Sequence, residues 1–254
     1  NVKEYFFYLD ATPTHSWLRY LYKYPQAQYP YGLLVDENRR RGRGDAPFSL
    51  LDTGVFEHDR YWDVEVRYAK SAPDEMHIRI IASNRGPETA TLQLLPTLWF
   101  RNDWSWDDGS APRAAIKEIA APEGAQWAVT AEHPSLGAYH LYGRHRAEAL
   151  FTENETNTER LWGVPGRTPF TKDAFHRHVI GGEAGAVNPA KCGTKFAARH
   201  VITVDAGQSS TIGLTLSARR MAAPFAKREL IFASREAEAT IFYDELLPEG
   251  GGRD

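Results

Sequence analysis

The chain has 254 residues, 42% of them apolar and 25% charged, with a formal net charge of −3 and a pI near 6.3. That balance sets aside nucleic-acid binding, which calls for a basic surplus, and the single cysteine, Cys192, rules out an internal disulfide framework and any multi-cysteine zinc site. Nowhere do ~18 apolar residues run together, and no basic segment leads into an apolar one at the start, so neither a membrane span nor a signal peptide is expected, and the lone thiol fits a reducing, cytoplasmic setting.

With 7 Trp, 12 Tyr and 12 Phe against 2 Met, the composition is β-rich, and the length suits one large all-β domain. Residues 3–10 read as a strand, 11–15 as a turn, and 17–24 as the partner of a hairpin-like pair in which Leu18, Tyr20, Tyr22 and Tyr24 alternate with Trp17, Arg19, Leu21 and Lys23. After Pro30, residues 32–41 read as a short helix whose final arginines, Arg39, Arg40 and Arg41, complement the macrodipole, with Gly42 and Gly44 stopping it.

From Phe48 onward strand follows strand: 50–56, 62–69 with Trp62, Val64, Val66 and Tyr68 on one face, 76–83, and 90–100, the last two separated by a turn at Asn84-Arg85-Gly86-Pro87. Further runs at 114–119, 127–132, 138–143, 147–152, 195–204 and 209–216 keep sandwich-like spacing, with Asp205-Ala206-Gly207-Gln208 as the last hairpin turn. Two segments break the rhythm. Residues 171–179 read as a short helix with Thr171 as N-cap and Asp173 in its first turn, followed by a loop at 181–189. Residues 224–247 place Leu230, Ala233, Ala237, Ile241 and Phe242 at helical spacing ahead of Pro248-Glu249-Gly250-Gly251-Gly252, which reads as a connector to another domain. The expected architecture is all-β, two antiparallel sheets with a few short helices: a sandwich domain over 1–220 and a linker helix and tail over 221–254.

The segment most like a ligand surface is Leu98-Trp99-Phe100-Arg101-Asn102-Asp103-Trp104-Ser105-Trp106-Asp107-Asp108-Gly109. Indole faces cover the C–H faces of a sugar while carboxylates and amides bond its hydroxyls. Glycoside hydrolysis needs two carboxyl groups ~6–9 Å apart around the scissile bond. Asp103, Asp107 and Asp108 crowd into six residues, so they read as hydroxyl-binding or loop-stabilising groups rather than a catalytic pair. Tryptophans here also suit the plugged end of a sandwich or the anchors of a domain interface. The histidines, including His140, His145 and the His176-Arg177-His178 run, match no metal-ligand spacing, and no nucleophile elbow or phosphate cradle is present. No metal, no cofactor and no catalytic residue is therefore assigned. Asn154-Glu155-Thr156 is a chance match to a glycosylation sequon.

Four blocks, residues 2–16, 20–26, 51–56 and 95–102 with Trp104-Ser105-Trp106 beyond, resemble the N-terminal region of bacterial glucosidase-like proteins of glycoside hydrolase family 63. The resemblance implies a β-supersandwich of mutarotase-like type that precedes an (α/α)6 barrel carrying the catalytic acid and base; neither carboxylate of that barrel lies in this chain. It also implies upstream sequence, in keeping with a chain that opens on Asn1 rather than methionine. The expected role is a non-catalytic domain that packs on the barrel of the same polypeptide and lines part of a cleft for a glucoside or oligosaccharide. No family catalytic residue maps onto it. The candidate substrate-binding residues are Asp10 and His15 in one loop and Asp103, Trp104, Trp106 and Asp107 in another. Two alternatives are a self-standing carbohydrate-binding module with Trp104 and Trp106 as platform, and an aldose-epimerase-like enzyme, which would place a histidine opposite a glutamate in a sugar-sized concavity.

Overall fold

A computed structural model describes residues 4–105 and 113–246. In chain order the elements are β1 (Tyr5–Ala11), β2 (Trp17–Pro25), α1 (Tyr31–Arg40), β3 (Tyr61–Ala72), β4 (Glu75–Asn84), β5 (Ala90–Leu94), β6 (Thr97–Trp99), β7 (Ala115–Ile119), β8 (Trp127–His133), β9 (Gly137–Gly143), β10 (Glu148–Thr152), α2 (Thr158–Trp162), α3 (Ala174–Val179), β11 (Cys192–Gly193), β12 (Lys195–Val204), β13 (Ser209–Ser217) and α4 (Arg228–Leu246). The protein is all-β, with antiparallel pairing and few helices. The described residues form two compact units, one of 4–92, 202–213 and 228–246, the other of 93–105, 113–201 and 214–227.

In the first unit the strands run β1-β2-β3-β4, followed by Ser209–Gly213 of β13. The expected hairpin is present, and β2 pairs with β3 from Trp17↔Ala69 to Pro25↔Tyr61. Period-2 alternation gives this sheet two unlike faces. Trp17 and Ala69 face α4, which buries Phe232 and Ala239 against them; the Trp17 and Phe232 rings meet edge to face at 6.3 Å. Farther along, Glu65 lies 2.8 Å from both Arg19 and Arg67, and Asp63 lies 2.7 Å from both Lys23 and Arg85, a charged ladder suited to water. At the far side α1 sets Leu34 among Tyr29, Leu50, Tyr24 and Phe56, and the Asn38 side chain ties helix to loop by donating to the Leu34 and Phe48 carbonyls and accepting from the Phe48 amide.

Residues 50–56 are not the expected strand. The Asp52 carboxylate accepts from the Ser49 amide and hydroxyl, Leu51–Thr53 winds into a 3-10 turn, and Gly54 turns left-handed at φ 71°. Local side-chain bonds to the backbone outcompete the ladder that Leu50, Val55 and Phe56 would favour. At the 84–87 turn, buried Asn84 donates to the Glu88 and Val204 carbonyls and accepts from the Gly86 amide and from Gln26.

The second unit is a two-layer sandwich. One layer runs from Leu214–Ser217 of β13 through β9, β8 and β7 to β11. In the other, β12 pairs with β10 along Glu148↔Arg199 to Thr152↔Lys195 and with β6 at Lys195↔Trp99. Trp127 and Phe196 meet between the layers at 5.4 Å, with Phe151 5.0 Å from Phe196. On the face of β9 and β13 away from Phe196, the Met221 amide donates to the Tyr142 hydroxyl and the Thr215 hydroxyl donates to the Pro224 carbonyl.

Three further expectations change here. The run 90–100 divides into β5 and β6 because Pro96, which has no N–H to give to a ladder, sits between them and offers its carbonyl to the Ala198 amide instead. The 171–179 helix begins at Ala174; the Thr171 hydroxyl donates to the Asp173 carboxylate, and Asp173 rather than Thr171 occupies the cap position. The short elements α2 and β11 were not expected, the first being capped by the Asn157 side chain accepting from the Arg160 amide.

Candidate functional site

Of the six expected site residues, Trp106 and Asp107 lie outside the described residues. The remaining four fall in separate units, Asp10 and His15 in the first and Asp103 and Trp104 in the second.

The tryptophan loop is organised inward. Asn102 donates to the Asn154 carbonyl at 3.0 Å, Asn154 donates back to the Phe100 carbonyl at 2.8 Å, and the Thr194 hydroxyl holds the Asn154 amide and Glu153. Trp104 is only 4% exposed, its Nε1 donating to Glu155 Oε1 at 3.0 Å. A buried indole presents no face to a sugar, so Trp104 is a core plug rather than the expected platform. Asp103 remains exposed. Among the described residues of this segment the open indole is Trp99, 55% exposed on β6 in register with Lys195.

The loop after β1 is built differently. The Thr12 hydroxyl accepts from the Ser16 and Trp17 amides, which curls 12–16 into a tight turn and leaves His15 at its tip with φ 53°. Trp17 Nε1 donates to Asp10 Oδ2 at 2.9 Å, aiming a carboxylate whose other oxygen stays available. The Tyr243 hydroxyl of α4 donates to the Ala11 carbonyl. Tyr8, Leu9, Asp10, Ala11 and Tyr243 line an open groove of about 360 Å3. Tyr8 is 81% exposed, but the bulge at Leu9 puts its ring on the sheet face opposite Asp10, where it meets Tyr20 at 5.7 Å and Phe6 at 6.1 Å, while Phe6 and Tyr20 stack at 5.9 Å. Partial burial, with Tyr8, Glu4 and Tyr68 adding, holds the Tyr20 phenol above its ordinary value, so it is a neutral hydroxyl at physiological pH, able to donate and accept.

This groove joins one oriented carboxylate to the Tyr243 side chain. Among the described residues Asp10 is the one acid lining it, and a single carboxylate can accept hydrogen bonds from hydroxyls. His–Glu pairs among the described residues lie elsewhere: His77, fully buried, is 3.2 Å from Glu75, and His178 is 2.8 Å from a Glu148 that Arg199 also holds. A second groove, near α2 and α3, carries Arg160 and Arg177, each already paired with a carboxylate, Asp173 at 3.3 Å and Glu183 at 2.8 Å. Among the described residues no three His, Cys, Asp or Glu side chains gather as a metal ion would require, and no helix is long and apolar enough to cross a membrane.

No family model matches the chain. An uncharacterized protein of Saccharomyces cerevisiae, YMR196W, is 30% identical over 98% of the chain, which spans 27% of that protein's length. A solved structure from Escherichia coli K12, provisionally assigned as an aldose 1-epimerase, aligns with 83% of the chain and 67% of its own at 11% identity and a TM-score of 0.35, a likeness too loose to assign fold or activity.

Proposed function

We propose that the chain is a non-catalytic, sugar-facing β domain of a larger α-glucosidase-like glycoside hydrolase, packing against a catalytic barrel of the same polypeptide and contributing a wall to its oligosaccharide cleft. The observation that carries this reading is the groove beside Asp10: a carboxylate fixed by Trp17, Tyr243 next to it and, among the described residues, no second acid. The blocks resembling family 63 proteins include this loop, and the matched yeast relative is far longer than the chain.

Titration of the chain with methyl α-glucoside and maltose, followed by tyrosine and tryptophan resonances, tests it. Weak binding that perturbs Tyr243 and is lost in Asp10→Ala, together with no glucose release, is the expected result. Glucose release by the chain alone overturns it, as does an unperturbed groove both in the chain and in the whole polypeptide. Binding at full strength without a barrel favours the second reading, a self-standing carbohydrate-binding module, for which the exposed Tyr8 ring is the specific observation.

A further inference from the structure

We propose that β1 pairs edge to edge with β1 of a second copy of this chain, antiparallel and centred on Phe7. Within its sheet β1 is the outermost strand, and among the described residues it pairs only with β2. A free edge presents a row of N–H and C=O groups that template another strand, and natural proteins blunt it with lysine, proline, a bulge or a covering element; here the bulge comes only at Leu9, after Phe6, Phe7 and Tyr8. Tyr5-Phe6-Phe7-Tyr8-Leu9 contains no charge and no proline, and Phe6, Phe7, Tyr8 and Leu9 are all exposed.

The sequence of this edge is complementary to itself. A twofold axis normal to the sheet at Phe7 sets Phe6 opposite Tyr8 of the second copy, twice, and sets the two Phe7 rings opposite one another. Aromatic pairs directly across strands are among the more stabilising ones, and these rings already associate within one chain, Phe6 with Tyr8 edge to face and Phe6 with Tyr20 stacked.

Charge decides whether the register is permitted. The acids flanking the run, Glu4 and Asp10, come opposite each other in it, and like charges across a ladder are destabilising. The bulge removes that conflict. Pairing with β2 passes from Tyr8↔Tyr20 directly to Asp10↔Arg19, so Leu9 is the extra residue and Asp10 lies on the face away from Tyr8. Glu4 lies on the Tyr8 face by alternation with Phe6, close enough to the Tyr22 phenol to raise its pKa. The two carboxylates therefore project to opposite faces of the joined sheet. Such an interface is isologous and closes at two copies, because each uses its one β1 edge.

The proposal does not rest on sugar binding, and Phe7 is not a groove residue. Sedimentation equilibrium over about a hundredfold range of concentration tests it. The apparent mass is expected to rise from 28.6 kDa toward twice that value, with amide exchange in β1 slowing as the dimer forms. Phe7→Lys, which brings two ammonium groups together at the axis, is expected to hold the mass at the monomer value with an unchanged circular dichroism spectrum and sugar titration. A monomer at every concentration overturns the proposal, as do assemblies larger than two and a dimer in which β1 exchange does not change. If Phe7→Lys does not fold, the exchange measurement on the unaltered chain decides alone.

Discussion

Trp104 Nε1 and Glu155 Oε1 lie 3.0 Å apart in the second unit, a donor and a charged acceptor both withdrawn from water. Their bond joins the loop after β6 to the segment before α2, and Arg113, 3.7 Å from the same carboxylate, is the nearby cation. Removing the acceptor strands a buried N–H, which costs more than the bond itself is worth. Glu155→Ala is expected to destabilise the protein by ~1.5–3 kcal/mol, seen as a lower thermal midpoint with red-shifted tryptophan emission. A Glu155→Gln protein that melts well above Glu155→Ala would show that the acceptor, more than its charge, matters; equal melting of Glu155→Ala and the unaltered chain would refute the assignment.

Gly143 closes β9 against the indole of Trp127. A Cβ built there would lie 1.9 to 2.3 Å from ring atoms. The ring cannot retreat, because it packs 5.4 Å from Phe196 and its Nε1 donates to the His145 carbonyl at 3.0 Å. Gly143→Ala is expected to cost ~2–4 kcal/mol through overpacking and a displaced indole. Gly185, with open space around its Cβ position, serves as the comparison, and Gly185→Ala should be nearly neutral. Chemical denaturation curves of the two variants give the answer, and comparable midpoints would sink the idea.

His200 is buried on β12, with no partner for its Nε2. Burial, with His145 adding to it, pushes its pKa down to about 4, and burial likewise lowers His140. The unfolded chain, whose histidines titrate near 6.5, then binds more protons than the folded one between those values. Stability that is complete above pH ~6.5 is lost progressively as pH falls toward about 4. Thermal midpoints should drop across that window, and His200→Gln should flatten the slope while leaving the midpoint at pH 8 within a few degrees. A slope that His200→Gln leaves unchanged would assign the acid sensitivity to other groups.

Much of this fold is legible in the sequence because hydrophobic alternation carries it. The β1/β2 hairpin, β3, β4, β8, β9 and β12 follow from period-2 patterns that burial on a sheet face demands. What escapes is decided by single polar groups: Asp52 reaching Ser49 turns a strand-like run into a 3-10 turn, and Pro96 divides β5 from β6. The site divides the same way. Asp10 was identifiable as a turn acid beside aromatics, but its orientation depends on Trp17 and its groove on Tyr243, more than two hundred residues away. Trp104 misled because composition records how many indoles a segment holds and not which one finds a buried carboxylate.

Phe232 is where α4 is held to its sheet. It is buried against Trp17 and lies under the Arg79 guanidinium at 4.2 Å, and Arg79 also pairs with Glu229 one turn earlier. The rest of the helix is mainly exposed, including Leu230, Ile241 and Leu246, so its docking depends on this ring with Ala239 and the Tyr243 hydroxyl. Phe232→Ala is expected to cost ~3–5 kcal/mol and to release the helix locally before the sheet unfolds. Limited proteolysis should then cut within 228–246 first, and the groove beside Asp10, having lost Tyr243, should stop binding α-glucosides. The partner substitution Arg79→Ala removes a mostly buried cation and ring contact worth ~1–2 kcal/mol, and should leave both the proteolysis pattern and the groove in place. Simultaneous loss of all β1 and β2 exchange protection in Phe232→Ala would mean that helix and sheet unfold as one unit, contrary to the local release argued here.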